Sequence, residues 1–127
     1  MRPKDVVLAW AKALNARDIT ALVALYASDA IGHHPAGPRV EGQTAIIQMF
    51  QDEIVRSPDV GLEIINVFED GEWAILEWKR LSKLCERLAG CSPSDKNYHE
   101  LQGCTFFRVH EGRIAFQWGY WNRIGLP

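Results

Sequence analysis

Cysteine is scarce in this chain of 127 residues: Cys85, Cys91 and Cys104 are odd in number and lack the paired spacing of a zinc knuckle. A disulfide scaffold is thereby excluded, and the three read as reduced thiols of a reducing compartment. Long apolar runs are missing as well. The stretch from Val6 to Ala11 stops at Lys12, far short of the ~20 residues of a membrane span. No small-residue cleavage site follows the charged start Met1-Arg2-Pro3-Lys4-Asp5, so no secretory leader is expected and the protein reads as cytoplasmic, without a membrane partner. Excess charge is small, with a net value of −2 and Lys and Arg scattered among Asp and Glu. A basic stripe is absent, which argues against nucleic acid as a partner. His33, His34, His99 and His110 are the only histidines. Adjacent histidines rarely hold one ion together and no paired carboxylate motif accompanies them, so neither a metal nor a cofactor is expected.

What is present is an ordinary globular composition, 47% hydrophobic and 24% charged. A chain of this length forms one domain, 1–127, that buries roughly two-thirds of its unfolded surface. Val7, Trp10, Ala11 and Leu14 recur at helical spacing and give a first helix with one apolar face. Asn15-Ala16-Arg17-Asp18 ends it, and Asp18 caps a second helix whose buried stripe is Leu22, Leu25 and Tyr26, closed by Ser28-Asp29. Gly42-Gln43 opens a third, with Ile46, Ile47, Phe50 and Ile54 on one face and Ser57-Pro58 as its stop.

From residue 62 the period changes to that of strands. Leu62 to Phe68 and Trp73 to Ser82 form a hairpin around Glu69-Asp70-Gly71-Glu72; Tyr98 to His110 and Arg113 to Asn122 form another around Glu111-Gly112. Between them, 83–97 is less regular and reads as a short turn and a loop, a flap over a pocket mouth. Helices first and antiparallel strands second predict an α+β fold, with helices on one face of a curved sheet. Such a sheet leaves an apolar cone open at one end, the default place for a small hydrophobic molecule.

The pair His33-His34 lies between the second and third helices, in a stretch bounded by glycine and proline, Ala30-Ile31-Gly32-His33-His34-Pro35-Ala36-Gly37-Pro38. Imidazoles on a loop between rigid elements can meet a ligand, and His alone has an unperturbed pKa near neutrality, about 6.5. Surface or hydrogen-bonding roles are the plainer alternative for such a pair.

The run Ala13 to Asp18, Leu22 to Tyr26 with Ser28-Asp29-Ala30, Gly42 to Ile46, Glu111 to Ile114 and Trp118 to Trp121 resembles the nuclear transport factor 2-like superfamily. That superfamily includes ketosteroid isomerases, SnoaL-like polyketide cyclases, limonene epoxide hydrolases and non-catalytic binding or scaffold proteins. The resemblance covers nearly the whole chain outside 83–97. It implies a cystatin-like cone of three N-terminal helices on a strongly bent antiparallel sheet, paired as a homodimer through the outer sheet face. Trp73, Trp78, Phe107 and Phe116 are then candidates for that interface or for the core.

Functional residues carry over one at a time. The ketosteroid isomerases' base is a carboxylate directly before Pro-x-Gly, and His34 holds that place here, before Pro35-Ala36-Gly37. Their oxyanion hole uses a tyrosine on the first helix and a protonated aspartate on the next-to-last strand, positions matched by Trp10 and Cys104. The cyclases' acid/base aspartate follows the last-strand tryptophan; this chain has Gly119 after Trp118. For the epoxide hydrolases, Gly119 removes one acid of an Asp-Arg-Asp network, and Trp78 and Arg80 stand where the other partners belong, which argues against that chemistry.

The candidate catalytic set is therefore His34, Trp10 and Cys104, with His33, Tyr26, Tyr98, Gln102, Gly119 and Trp121 as ligand-binding residues. The expected activity is that of an isomerase, cyclase or lyase moving a proton on a small hydrophobic carbonyl compound. For each residue a structural role is the competing explanation: Trp10 and Trp121 as core, Tyr26 as a buried hydroxyl with a partner, Cys104 as an inert thiol. The rival class is a non-catalytic ligand-binding or scaffold homodimer, favoured by the loss of both familiar acids.

Overall fold

A computed structural model of the chain describes residues 2–33, 39–56, 61–83 and 98–124, with side chains described at 2–33, 39–52, 61–80 and 102–120. Helix α1 spans Pro3–Ala16, with proline in its first turn, where the missing N–H costs no hydrogen bond. It ends where Arg17 enters the left-handed region at φ 55° and the N–H groups of Arg17 and Asp18 close back on Leu14 and Ala13. The Asp18 carboxylate accepts from the N–H of Ala21 at 3.1 Å and so caps α2, Ile19–Leu25.

Helix α2 is shorter than its apolar stripe predicts. Tyr26 already has extended backbone and begins strand β1, Tyr26–His33. The stretch expected as helix end and loop is a strand, and His33 is its last residue. Strand β2, Val40–Glu41, pairs back onto β1, and α3, Gln43–Arg56, follows. Two long hairpins complete the chain: β3, Leu62–Asp70, with β4, Trp73–Lys83, and β5, Tyr98–His110, with β6, Arg113–Ile124. Glu111 and Gly112 have φ of 53° and 77°, the paired positive values that suit a two-residue hairpin turn to the twist of its strands.

The strands form one sheet in the order β2-β1-β6-β5-β4-β3. β1 runs parallel to β6 while every other pairing is antiparallel, so the sheet is mixed, where an antiparallel one was expected. The three helices pack on its inner face. Val6, Val7, Trp10, Ala11 and Leu14 of α1 and Ile46, Ile47 and Phe50 of α3 meet Ala74, Leu76, Trp78, Phe107, Val109 and Ile114 of the sheet. Alternation along each strand sends the intervening residues to the outer face. Trp78 and Phe107 are thus core, whereas Trp73 and Phe116 face outward.

Candidate functional site

On the inner face the apolar lining is interrupted by a short chain of neutral polar groups. Trp10, centred in α1, sets its ring edgewise against Phe50 and Phe107, with centroids 6.1 and 5.0 Å away. Its indole Nε1 donates to the Tyr26 hydroxyl at 2.8 Å, and that hydroxyl donates to Oε1 of Gln117 on β6. Tyr26 is wholly buried, Trp10 nearly so, and Gln117 half-buried. A second such contact lies across β4 and β5, where Trp78 Nε1 donates to Thr105 Oγ1 at 2.9 Å. Among the described residues Thr105 is the buried polar residue, and Arg80, two residues along β4 from Trp78 and so on the same face, has its guanidinium Nε buried. Burial of these indole and phenol groups is tolerable because each N–H or O–H has an acceptor. Gly119 stands opposite Thr105 in the register and Gly103 lies two residues before it on β5, and neither contributes a side chain. Arg80 is half-buried and pairs with Leu62 in the sheet.

The expected site residues are divided by this geometry. Trp10, Tyr26 and Gly119 come together on the inner face. His33 does not join them: Gly32 turns toward α3, where an added Cβ would lie 3.5 Å from Ile46, so the next side chain is on the opposite face. Its ring lies 4.4 Å from that of Trp118, and its buried Nδ1 has no hydrogen-bond partner among the described residues. Cys104 and Gln102 share a face, but it is the outer one, since Thr105 and Phe107 take the inner positions. Cys104 therefore does not stand beside Trp10 as the isomerase correspondence implies. Partial burial, and then the nearby Glu77 carboxylate, push its thiol pKa up. His34 lies outside the described residues, as do the side chains of Tyr98 and Trp121 and the whole of 84–97.

Gln117 and Thr105 were not among the sequence candidates. The signal for Gln117 was available: it sits two residues before Gly119 on one strand, hence on the same face, and a buried tyrosine hydroxyl requires a partner.

The outer face carries a continuous aromatic cluster. Trp73 meets Phe116 at 5.9 Å, Phe116 meets Trp118 at 6.0 Å, and Trp118 stacks on Tyr120 at 5.7 Å. Phe106 adds an edgewise contact to Tyr120. Trp73, Tyr120 and the neighbouring Phe68 are 41%, 47% and 56% exposed. Toward the β5–β6 turn this face holds a polar cavity of about 350 Å³, lined by Asp29, Arg108, His110, Glu111 and Arg113 among others. It contains none of the expected site residues. No helix among the described residues is long and apolar enough to cross a membrane.

The sequence profile of the SnoaL-like domain matches residues 7–117. No curated protein matches the chain significantly. Among solved structures, IdmH of Streptomyces antibioticus, named provisionally as a polyketide cyclase, superposes with a TM-score of 0.83 at 22% identity, covering 96% of this chain and 93% of that one. A protein of Kribbella flavida, named provisionally as a ketosteroid isomerase, gives 0.78 at 18% identity over 98% of this chain and 81% of its own. A ketosteroid isomerase-like protein of Catenulispora acidiphila, solved with trimethylamine, gives 0.76 at 21% identity, covering 94% and 86%. At these identities the likeness is one of fold, the three-helix cone on a bent sheet, and one fold hosts many functions.

Proposed function

The chain belongs to the SnoaL-like domain family, and on that premise we propose that it takes a small hydrophobic carbonyl compound into its cone and moves a proton on it, as an isomerase, cyclase or lyase does, with His34 as base. The observation that carries this reading is the chemistry of the inner face: aromatic and aliphatic walls and a neutral hydrogen-bonding chain through Trp10, Tyr26 and Gln117. An interior of that kind suits an apolar molecule with one or two polar atoms.

His34 follows directly on His33, which the sheet fixes beside Trp118 at the end of β1. A neutral imidazole removes a proton from the carbon next to a carbonyl. The C–H electron pair becomes the enolate, and the imidazolium returns a proton to carbon. Such positioned general bases contribute ~10² to 10⁴-fold.

In heavy water with 2-tetralone as probe, the protein should accelerate exchange of the α-hydrogens for deuterium, and His34→Ala should abolish that acceleration while the ketone still binds. Equal exchange with and without His34 removes it from the mechanism.

A second reading has its own support. Gly119 occupies the place of the cyclases' aspartate, and the exposed aromatic outer face is suited to a partner, which favours a ligand-binding or scaffold homodimer. The partner proposed for that face is a second copy of this chain. Charges on this face include pairs made within one chain, Lys79 with Glu63 at 3.8 Å and Arg108 with Glu72 at 3.0 Å, which limits like-charge repulsion between two copies.

A further inference from the structure

The hydrogen bonds inside the cone have a direction, and that direction ends on Gln117. An indole N–H can only donate, so the Tyr26 oxygen accepts from Trp10. The Tyr26 hydroxyl hydrogen is committed to Oε1 of Gln117. With its oxygen engaged, the carboxamide must turn its Nε2 and both amide hydrogens the other way. No acceptor for them is found among the described residues. The position adds to this. Gln117 is half-buried although Trp10 and Tyr26 behind it are buried. It lies beside Gly32 in β1, and Gly119, two residues along the same face, has no side chain to crowd it.

Resting on the reading of the cone as a carbonyl-binding site, we infer that Gln117 Nε2 is the donor that holds the oxygen of the bound molecule, and that Trp10 and Tyr26 are positioning residues that fix which end of the amide faces it. The ligand class follows from the polarity. An amide held with its nitrogen forward accepts nothing, so it selects a carbonyl or enolate-type oxygen over an amine or ammonium group. The donor role that the isomerase correspondence assigns to Trp10 and Cys104 passes to Gln117: the Trp10 N–H is used internally, and Cys104 is on the other face.

The test compares 2-tetralone with tetralin, the same bicyclic body without the oxygen, on the full chain. In Gln117→Leu the preference for the ketone relative to the hydrocarbon should fall by roughly threefold to tenfold, the worth of one neutral hydrogen bond. The carbonyl stretch of bound 2-tetralone should lie below its value in an aprotic solvent for the wild type and return to that value in Gln117→Leu. Tyr26→Phe should leave 2-tetralone bound but broaden and raise that stretch, a response that a merely structural tyrosine would not give. Gln117→Glu keeps an acceptor for Tyr26 but has no N–H, and should match the leucine variant. If both variants fail to fold, the wild type alone decides: the Gln117 side-chain amide resonances should move with 2-tetralone and stay with tetralin.

An unchanged preference together with an unshifted carbonyl stretch, or amide resonances indifferent to the ketone, overturns the inference, even where His34-dependent exchange is observed. Ketone binding that depends on Gln117 without any α-hydrogen exchange upholds it and overturns only the proton-transfer reading. Should neither probe bind at millimolar concentration, the reading of the cone falls and this inference falls with it.

Discussion

Asn15 and Leu62 are paired as two neighbouring strand residues would be: the Asn15 Nδ2 donates to the Leu62 carbonyl at 2.9 Å, and its Oδ1 accepts from the Leu62 N–H at 2.7 Å. One side chain from the end of α1 thereby satisfies both backbone groups at the start of β3, an edge strand of the sheet. It fixes the helix against the strand where Leu62 enters the core.

Replacing Asn15 by Ala leaves the Leu62 N–H and C=O without that partner and should lower stability by about 1–3 kcal/mol. Asn15→Asp keeps the acceptor and loses the donor, so its cost should be smaller. Chemical denaturation of the three proteins checks this ordering. Coincident midpoints would show that water replaces the amide at no cost.

The contact between Trp10 and Tyr26 should be visible as coupling. Tyr26→Phe deprives the buried Trp10 N–H of its acceptor and the Gln117 oxygen of its donor, which should cost about 1–3 kcal/mol. Trp10→Phe removes the donor and leaves unfilled volume beside Phe50 and Phe107, for a cost of at least that size. The double variant should be more stable than the sum predicts by about 0.5–3 kcal/mol, the usual range for residues in one network. Additive losses would mean that the two side chains act independently.

These contacts also show where sequence reasoning reached and where it stopped. α1, α3 and the two hairpins are legible because their period is local: Val7, Trp10, Ala11 and Leu14 repeat at helical spacing, and Glu111-Gly112 can be read as a turn from its residue types alone. β1 is not legible in the same way. Ser28 and Asp29 look like helix closers, and what makes Tyr26–His33 a strand is parallel pairing with β6, more than eighty residues away. Reading His33 as loop removed the alternation that would have set its face. For Cys104 the parity with Gln102 was right, yet the face stayed open because β5 is apolar on both sides, with Phe106 outward and Phe107 inward. Which aromatic faces the helices is decided by packing across the sheet, a non-local property.

Cys104 should behave as a poor nucleophile. Partial burial, with the Glu77 carboxylate nearby, raises its pKa above the ordinary thiol value, so less thiolate is present at neutral pH than in a free cysteine. Peptide-resolved alkylation with iodoacetamide at pH 7.5 should proceed more slowly at Cys104 than in glutathione. Labelling at or above the glutathione rate would contradict this assignment.

Acid should loosen the contacts on both sides of the β3–β4 turn. Glu69 accepts from the Arg2 guanidinium at 2.7 Å and from the Lys4 N–H at 2.8 Å, which lowers its pKa below 4.5. Glu72 is held below 4.5 by hydrogen bonds from Arg108 and then His110. For a carboxylate with its folded pKa depressed, the stabilisation is present above the unfolded value and is lost as pH falls through the folded one. The Tm difference between the wild type and a Glu69→Gln, Glu72→Gln double variant should therefore be small and positive at neutral pH and shrink to nothing as the pH drops below about 4.5. Glu72 is exposed and Glu69 pairs with an exposed Arg2, so added salt should reduce the difference as well. A difference that persists in acid would place the effect in packing, not charge.

The aromatic outer face makes the most consequential demand on the molecule in solution. In one chain Phe68, Trp73 and Tyr120 are each more than two-fifths exposed on one sheet face, a grouping of large apolar side chains of the kind that marks an interaction site. A two-fold pairing of that face buries it against itself, and each copy then meets the same residues in its mate. A stable pairing needs roughly 800 Å² from each copy, and the run from Trp73 through Phe116 and Trp118 to Tyr120 extends across three adjacent strands. The double variant Trp73→Glu, Tyr120→Glu places like charges at the centre of such an interface while altering positions already open to water in one chain. Sedimentation velocity should show the wild type at the mass of two chains and the variant at the mass of one, with matching far-ultraviolet circular dichroism. A wild type that sediments as a single chain at tens of micromolar would remove the second copy as the occupant of this face.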